Sequence, residues 1–244
     1  MTLRKVKANP PPSDHFARVA NVYDENIHND EHELSLRLIS VYVERLHLTS
    51  ALDVGTGTGR GLQYFLSHHP TLRLYAIEPV DEMRQQAIAK GIPAELIGGG
   101  VGQQLPFPDN SFDAVTAFGV MHHAERPADI IKEMCRVAKR AVFVSDSNRF
   151  GQGSKAARLI KLVSWQSGFW PLLNLINTRG KGHHISESDG LFYSYSVYDN
   201  LRQLSEWANQ VALIPIQSSG RSALNPLLTA SHILVAAVKD SSLS

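Results

Sequence analysis

Short apolar runs alternate with segments of helical periodicity through the middle of this 244-residue chain. The runs of strand length are Ala51–Val54, Leu72–Glu78, Ala114–Phe118 and Val142–Asp146. Helical segments follow from Gly61, over Glu82–Lys90 and over Ile130–Lys139. Because this alternation is typical of a parallel sheet covered by helices on both faces, we expect an α/β fold with a doubly wound, Rossmann-like sheet.

The pattern changes on both sides of this core. Residues His15–Leu48 have helical periodicity, and Ser147–Tyr195 interrupt the alternation of strands and helices. A helix around Asp199–Gln210 and strands at Ala212–Gln217 and His232–Lys239 follow. We expect one domain over residues 1–244. Its parts would be a helical lead (1–47), a ligand-binding core (48–146), a helical substrate or lid insertion (147–195) and a C-terminal helix with a strand hairpin (196–244).

The first strand ends in the glycine-rich turn Asp53-Val54-Gly55-Thr56-Gly57-Thr58-Gly59. A strand that turns directly into a helix presents backbone N–H groups and the positive helix end to a ligand. Glycines in such a turn permit positive φ and a close approach of the ligand. A turn that serves only tight strand–helix packing would also explain these glycines.

The spacing of the turn distinguishes between nucleotide ligands. A dinucleotide turn has the pattern G-x-G-x-x-G, and a P-loop ends in Lys followed by Ser or Thr; neither occurs here. The acidic Asp53 would repel a pyrophosphate but suits a ligand with positive charge. S-adenosylmethionine has a sulfonium cation, a free amino group and no phosphate. A second acid, Glu78, ends the next strand about 20 residues later, where a carboxylate accepts hydrogen bonds from ribose hydroxyls.

Two further motifs follow in the order expected of one known family. They are Leu105-Pro106-Phe107-Pro108-Asp109-Asn110-Ser111-Phe112-Asp113 and Gly119-Val120-Met121-His122-His123. With Asp53–Gly59 and Glu78, they make residues 48–146 resemble the class I S-adenosylmethionine-dependent methyltransferases, in the group with the type 11 methyltransferase domain. This resemblance implies S-adenosylmethionine as cofactor. It also implies a seven-stranded sheet whose last strand is antiparallel.

The resemblance also implies a set of cofactor-binding positions. Asp53 would lie near the amino end of the methionine moiety, Glu78 at the ribose and Met83 at the adenine face. Tyr23 of the helical lead would cover the cofactor. Members often have an aspartate for the adenine amine where this chain has Val101, so a backbone carbonyl or Gln103 would replace it. The predicted cofactor-binding residues are Tyr23, Asp53, Gly55, Thr56, Gly57, Gly59, Glu78, Pro79, Met83, Val101, Gly102, Gln103 and Phe118.

The insertion follows a strand end, where open α/β sheets bind ligands. Residues 151–182 contain five basic residues and no acid, interleaved with apolar and aromatic side chains. Three interpretations stay open: helices packed over the sheet, a lid over an apolar or anionic small molecule, or an interfacial helix that touches anionic lipid. The predicted substrate residues are Asp146, Arg149, Trp165, Phe169 and Trp170, with Arg149 available for a carboxylate or phosphate.

Histidines are the candidates for proton transfer. His122 and His123 follow the strand that ends at Phe118, so either could take a proton from a hydroxyl or amine acceptor. Alternatively, one imidazole would only hydrogen-bond to a neighbouring loop. The segment His28–His32 matches the pattern H-x-x-E-H of some zinc proteases. Because no third ligand is nominated, we predict no metal site and expect solvated helix residues there.

Composition and charge narrow the classes of partner. The 24 basic and 23 acidic residues give a net charge of +1, which provides no general attraction to nucleic acid. No apolar stretch is long enough for an integral membrane segment, although weak peripheral contact stays open. A single cysteine and a polar N-terminus without a signal core predict a cytoplasmic protein. The oligomeric state is left open.

The sequence therefore predicts an S-adenosylmethionine-dependent methyltransferase that acts on a small-molecule acceptor, apolar or anionic. One alternative is a non-catalytic protein of the same fold that binds S-adenosylmethionine, which the absence of a clear base and the valine at position 101 would favour. A nicotinamide-dependent oxidoreductase is a further alternative, which the glycine spacing and Asp53 disfavour.

Overall fold

Nine strands are present in the computed structural model, which describes residues 13–25, 30–186, 190–218 and 226–239. They are β1 (Ser50–Val54), β2 (Arg73–Ile77), β3 (Ile97–Gly98), β4 (Phe112–Phe118), β5 (Ala138–Ser147), β6 (His183–Ser186), β7 (Gly190–Tyr193), β8 (Gln210–Ser218) and β9 (Ala230–Val238). Seven of them form one sheet in the order β3-β2-β1-β4-β5-β9-β8, while β6 and β7 form a separate hairpin.

The order in which strands are added to the sheet reverses at β1. Strands β1 to β5 are parallel, and β9 is antiparallel to both β5 and β8. The order extends from β1 through β2 to β3 on one side and through β4 to β5 on the other, so the chain crosses over at β1. The predicted doubly wound, seven-stranded sheet with an antiparallel last strand is confirmed.

Nine α-helices connect and cover these strands in the described residues. They are α1 (Ser13–Val19), α2 (Asp30–Arg45), α3 (Arg60–His68), α4 (Asp81–Ala89), α5 (Pro127–Val137), α6 (Lys155–Gln166), α7 (Trp170–Asn177), α8 (Leu201–Trp207) and α9 (Pro226–Thr229). Short 3-10 turns lie at Ala20–Glu25, Ala94–Leu96, Met121–His123, Arg149–Gly151 and Val197–Asp199. Within the described ranges, none of the helices combines the length and apolar character that a membrane span requires.

The sheet has a hydrophobic core on each face, as period-two alternation along its strands requires. On one face, Leu36 of α2 and Phe65 of α3 belong to the cluster that includes Ala51 and Phe143. On the other face, α5 and α8 contribute to the cluster that includes Leu52 of β1. Because successive residues of β1 point to opposite cores, the strand is fully buried and its position fixes the turn that follows it.

Two boundaries differ from the sequence expectation. The helix expected over Ile130–Lys139 ends at Val137, and β5 begins at Ala138 rather than Val142. The reason lies in pairing, since Ala138 is opposite Phe112 of β4 and is completely buried. Its place in the sheet overrides the helical pattern of the local sequence.

The insertion differs more from its prediction than these two boundaries do. It contains α6 and α7, as expected of a helical insertion, but it ends in the β6–β7 hairpin, which the sequence pattern did not predict. The hairpin depends on contacts made far away in sequence. Gly190 has a φ of 64° and lies against His15 of α1, where a Cβ atom would come within 2.6 Å of the imidazole Cδ2. The His123 ring nitrogen Nδ1 lies 2.9 Å from the Leu191 carbonyl oxygen.

The loop that carried part of the family resemblance, residues 105–113, is held by Arg136 of α5. Its guanidinium donates hydrogen bonds to the carbonyl oxygens of Phe107 and Leu105. It also forms ion pairs with Asp109 and Glu133. Residues 105–113 therefore have a structural role, because these bonds fix the segment of chain between β3 and β4.

Replacing Arg136 with Met should remove the bonds to both carbonyl oxygens and destabilise the protein by about 2 kcal/mol, allowing for its partial exposure. Urea unfolding followed by circular dichroism measures this. Arg202→Met is the matched control, because the Arg202–Glu206 pair lies on the surface of α8, and it should leave the midpoint unchanged. Equal midpoints for the two variants would show that Arg136 does not hold the loop.

Candidate functional site

Three acidic residues mark the carboxyl edge of the sheet. Asp53 lies in β1, Glu78 directly follows β2, and Asp146 lies near the end of β5. All three are buried. Because the carboxyl ends of parallel strands meet at one edge, the strand order brings these carboxylates into the region where the chain crosses over. Open α/β sheets bind ligands at this position.

The glycine-rich turn uses its glycines for different purposes. A Cβ atom on Gly59 would lie 2.3 Å from Ile92 Cδ1, so this glycine permits packing against the segment after α4. A Cβ atom on Gly57 would meet only Tyr23 Cε1, at 4.0 Å, and its φ is 58°. Gly57 therefore leaves open space for a ligand, while Gly59 serves the strand–helix packing that the sequence left as an alternative.

Glu78 joins the turn to the second strand. Its Oε2 accepts a hydrogen bond from the Gly57 N–H at 2.9 Å, and its Oε1 accepts one from the Val80 N–H at 2.9 Å. Burial raises the pKa of Glu78 to about 7, although these two N–H donors and Arg84 favour the ionised form. The carboxyl group is thus preorganised at the turn, and it becomes ionised as the pH rises through about 7.

A cleft of about 850 Å³, its open mouth included, lies above Gly57 and Glu78, and we call it the cofactor cleft. Many of the predicted cofactor-binding residues line it: Tyr23, Gly55, Gly57, Glu78, Pro79, Met83, Val101, Gly102, Gln103 and Phe118. The loop that contains Val101 and Gln103 thus contributes to the lining although it lacks the family's aspartate.

Two other predicted residues, Asp53 and Thr56, line a smaller pocket that adjoins the cofactor cleft at Gly55 and Gly57. Burial raises the pKa of Asp53, opposed by its hydrogen bond from the Thr116 hydroxyl at 2.8 Å. Arg60 of α3 lines the same pocket. This pocket therefore combines a carboxylate with a guanidinium, which complements an amino acid moiety. Gly59 lines neither space.

The helical lead covers the cofactor cleft with aromatic side chains. Phe16 contacts the edge of the Tyr23 ring at a centroid distance of 6.0 Å and the His123 ring at 4.9 Å. Asp24 fixes this cover, since it accepts a hydrogen bond from the Thr58 hydroxyl and pairs with Lys90. The sequence identified Tyr23 but gave no signal for Phe16, whose position depends on how α1 packs.

His122 is held by a buried carboxylate. Its Nδ1 lies 2.7 Å from Asp146 Oδ1, and Asp146 Oδ2 accepts the Met121 N–H at 2.7 Å. Burial opposes ionisation of Asp146, but the adjacent His122 and His232 rings lower its pKa below the ordinary value. The ionised carboxylate therefore favours the tautomer with the proton on Nδ1, so that Nε2 is the basic nitrogen. Asp146, predicted as a substrate residue, instead bonds to His122 and is itself completely buried.

His123 faces the cofactor cleft, and its Nδ1 bonds to the hairpin at Leu191. The loop contact that the sequence left as an alternative is present. His122 and His123 have ring centroids only 4.0 Å apart. The pair therefore forms a wall, with His123 on the side of the cofactor cleft.

A third histidine, His32, lies at this wall, whereas the sequence analysis considered it only as a metal ligand. A Cβ atom on Gly119 would lie 3.6 Å from His32 Cε1 and 3.7 Å from His122 Cε1, so both rings converge on the end of β4. Burial, with help from Arg60 and His232, lowers the pKa of His32 to about 4. The expectation of a solvated His32 was wrong, because α2 packs it into the site. His28 lies outside the described residues, among which no metal-binding cluster of His, Cys, Asp and Glu is found.

A second cleft, also about 850 Å³ with its mouth included, lies on the other side of the histidine wall, and we call it the insertion cleft. His122 lines it together with residues of the insertion. The lining is His122, Ser147, Arg149, Gln152, Lys161, Trp170, Asn174, Asn177, His184, Phe192, Tyr193, Ser194 and Tyr195. It contains two cations and no acid. The two clefts are therefore separated by neighbouring residues of one 3-10 turn.

The predicted substrate residues of the insertion lie in different places. Arg149 lines the insertion cleft but is buried and pairs with both carboxylate oxygens of Asp199, so its charge is already matched. Trp170 lies against this guanidinium at 5.1 Å. Trp165 packs against Phe150 at a ring distance of 5.4 Å. Phe169 is 64% exposed and lines neither cleft.

Lys161 is the cation of the insertion cleft that sequence reasoning missed. Its Nζ donates to the carbonyl oxygens of Arg149 and Gln152, at 3.0 and 3.2 Å. Within the described residues, no carboxylate forms an ion pair with it. Burial, Arg149 and Arg158 lower its pKa. The sequence signal was the excess of basic residues over 151–182, but it did not show which base faces inward.

Comparisons with known proteins show what this chain is similar to. The family model described as a methyltransferase domain matches residues 52–144. The uncharacterized methyltransferase YcgJ of Bacillus subtilis (strain 168) is 27% identical over 130 residues, which is 51% of this chain and 50% of that protein. The phosphatidylethanolamine N-methyltransferase of Cereibacter sphaeroides is 28% identical over 142 residues, 48% of this chain and 63% of that protein. This chain thus spans less than two thirds of the length of either relative.

A solved structure extends the likeness of the fold. The magnesium protoporphyrin IX methyltransferase from Synechocystis PCC 6803, determined with bound S-adenosylhomocysteine, has a TM-score of 0.54. The alignment covers 93% of this chain and 94% of that one at 14% sequence identity. At this identity the comparison establishes a shared fold.

The affinity for S-adenosylhomocysteine should rise about tenfold between pH 6 and pH 8 and then level off. A carboxyl with a pKa of about 7 ionises over this range, and only the carboxylate accepts both ribose hydroxyls. Isothermal titration calorimetry measures the affinity. Glu78→Gln is the control, which should bind more weakly and lose the pH dependence. The assignment of Glu78 to the ribose fails if the variant keeps the wild-type profile.

Proposed function

We propose that this chain, whose residues 52–144 form an S-adenosylmethionine-dependent methyltransferase domain, transfers a methyl group to a small-molecule acceptor. The observation that carries the proposal is the histidine wall. His123 lines the cofactor cleft and His122 the insertion cleft, so the two rings stand between the clefts, and a buried carboxylate orients His122. Two substrates on opposite sides of such a wall would meet at its edge, near Gly119 at the end of β4.

The described residues fit the cofactor. The open space at Gly57 admits a ligand next to the backbone, and Glu78 offers its carboxylate to ribose hydroxyls. Asp53 and Arg60 line the smaller pocket, where they would hold the amino and carboxylate groups of the methionine moiety. Bound S-adenosylmethionine supplies an electrophilic methyl group that is already activated by the sulfonium. The protein's main contributions are alignment and exclusion of water.

The aromatic side chains of the helical lead would exclude water from the cofactor cleft. Phe16 and Tyr23 close the cofactor cleft from the side of the helical lead, where a ring face also favours a nearby cation. Asp24 and its bonds to Thr58 and Lys90 attach this cover to the glycine turn. The helical lead thus contributes directly to the proposed cofactor site.

His122 is the proposed general base. Its Nε2 would take the proton of an acceptor hydroxyl while the hydroxyl oxygen bonds to the methyl carbon and the carbon–sulfur bond breaks. The Asp146 carboxylate stabilises the imidazolium that forms. This pair also weakens the alternative of a non-catalytic cofactor-binding protein, which drew on the lack of a clear base. The match to a methyltransferase domain speaks against the nicotinamide alternative.

The insertion cleft is the proposed acceptor site. Its lining has no carboxylate, the charge of Arg149 is matched by Asp199, and Lys161 has only carbonyl oxygens as partners there. Aromatic side chains, Trp170 and Phe192 among them, complete the lining. These features favour an acceptor with an anionic group for Lys161 and a flat or apolar body. An acceptor of this kind satisfies both parts of the sequence expectation, apolar and anionic.

Replacing His122 with Gln should reduce methyl transfer at least a hundredfold, because the general base is lost, while S-adenosylhomocysteine affinity changes less than twofold. Transfer is measured with radiolabelled S-adenosylmethionine and a panel of phenolic and aliphatic hydroxy acids. His68→Gln, on the exposed side of α3, is the matched control and should retain full activity. If the His122 variant transfers methyl at the wild-type rate, this residue is not the base.

Replacing Lys161 with Gln should raise KM for the hydroxy acids about tenfold or more, because a charge-assisted contact is lost, but leave KM for their neutral amides unchanged. The same labelled assay measures both series. Lys155→Gln on the exposed start of α6 is the control, and it should alter neither. Equal effects on the acids and the amides would show that Lys161 only supports the Arg149–Gly151 turn.

A further inference from the structure

Helices α6 and α7 expose an extensive apolar surface, which we call the outer face. Its large side chains are between 46% and 65% exposed. They are Leu159, Ile160 and Val163 of α6, Leu172, Leu175 and Ile176 of α7, and Phe169 between the two helices. Single exposed apolar residues are ordinary, but a contiguous group rimmed by polar residues marks an interaction surface.

The two helices have the reverse of the usual orientation. Leu159, Ile160 and Val163 follow the three-to-four-residue period of one helix side, and Leu172, Leu175 and Ile176 do the same on α7. An amphipathic helix normally turns this apolar stripe towards the protein core. Here the sides that carry Lys161 and Asn174 line the insertion cleft, and the apolar stripes face outward. The outer face is therefore available to an apolar partner outside the protein.

The charged residues of the segment that carries the outer face are all positive. Residues 151–182 contain five bases and no acid. Among these bases, Lys155, Arg179 and Lys181 are exposed, and they lie near the ends of α6 and α7. Apolar side chains flanked by exposed bases match the interface of an anionic bilayer, where the apolar stripe enters the acyl boundary and the bases meet lipid phosphates.

We infer that the outer face of α6 and α7 docks on an anionic membrane surface. A second copy of this chain is a poorer occupant, because a symmetric contact would bring the same basic residues towards each other. The inference does not depend on methyl transfer. It does have a consequence for the proposed acceptor site, since the same two helices wall the insertion cleft on their inner side. Docking would place that cleft directly behind the lipid surface.

Flotation of the full chain with vesicles tests the inference. The protein should bind vesicles that contain phosphatidylglycerol, release them as salt rises, and bind vesicles of pure phosphatidylcholine weakly. Ile160→Ser combined with Ile176→Ser should lower the partition coefficient at least tenfold, because two apolar anchors are lost. Lys155→Gln combined with Lys181→Gln should lower it about fivefold per charge on phosphatidylglycerol vesicles.

The matched control is Val41→Ser, an exposed apolar position on α2, which should not change vesicle binding. The inference is overturned if the protein fails to float with anionic vesicles or if the double serine variant binds as well as wild type. It is also overturned if size-exclusion chromatography shows a dimer that the serine substitutions dissociate. Calorimetry with S-adenosylhomocysteine on the same variants keeps the two proposals distinguishable, since cofactor affinity should be unchanged throughout.

Discussion

The candidate site depends on the crossing of the chain at β1. Because β2 and β4 pair in parallel with opposite edges of this strand, their connections leave a crevice at the carboxyl edge. The glycine turn after β1 then lies between Glu78 and the residues that follow β4. A buried strand with a core on each face cannot shift register without moving every side chain into the opposite core and disrupting both, so the positions of the carboxylates are fixed by the packing of the sheet.

The polar groups beneath the histidine wall impose a second constraint. A buried carboxylate such as Asp146 is costly unless donors surround it, and here a backbone N–H and an imidazole both bond to it. The His232 ring, bonded to the Ser145 hydroxyl, adds to its stabilisation. His32 is kept neutral by the same burial. The fold thus holds the Asp146 carboxylate close to the imidazoles of His122, His232 and His32. The position of His122 follows from this arrangement.

The sequence predicted those features that local patterns determine. Strand ends and glycine spacing identified Glu78 and Gly57 because each lies in a short motif attached to a buried strand. Residues placed by distant packing were missed or misplaced. His32 reaches the site through the packing of α2, and the carboxylate of Asp199 that neutralises Arg149 lies 50 positions away in the chain. Periodicity likewise identifies an apolar helix face but does not show whether it points inward, as α6 and α7 illustrate.

The central claim is that cofactor and acceptor meet at the wall of His122 and His123. A crystal structure of the protein with S-adenosylhomocysteine tests it most directly. The account predicts the ribose hydroxyls on the Glu78 carboxylate, the amino acid end beside Asp53, and the sulfur directed towards the wall near Gly119. A ligand whose ribose lies away from Glu78, or whose sulfur points away from His122 and His123, would contradict it.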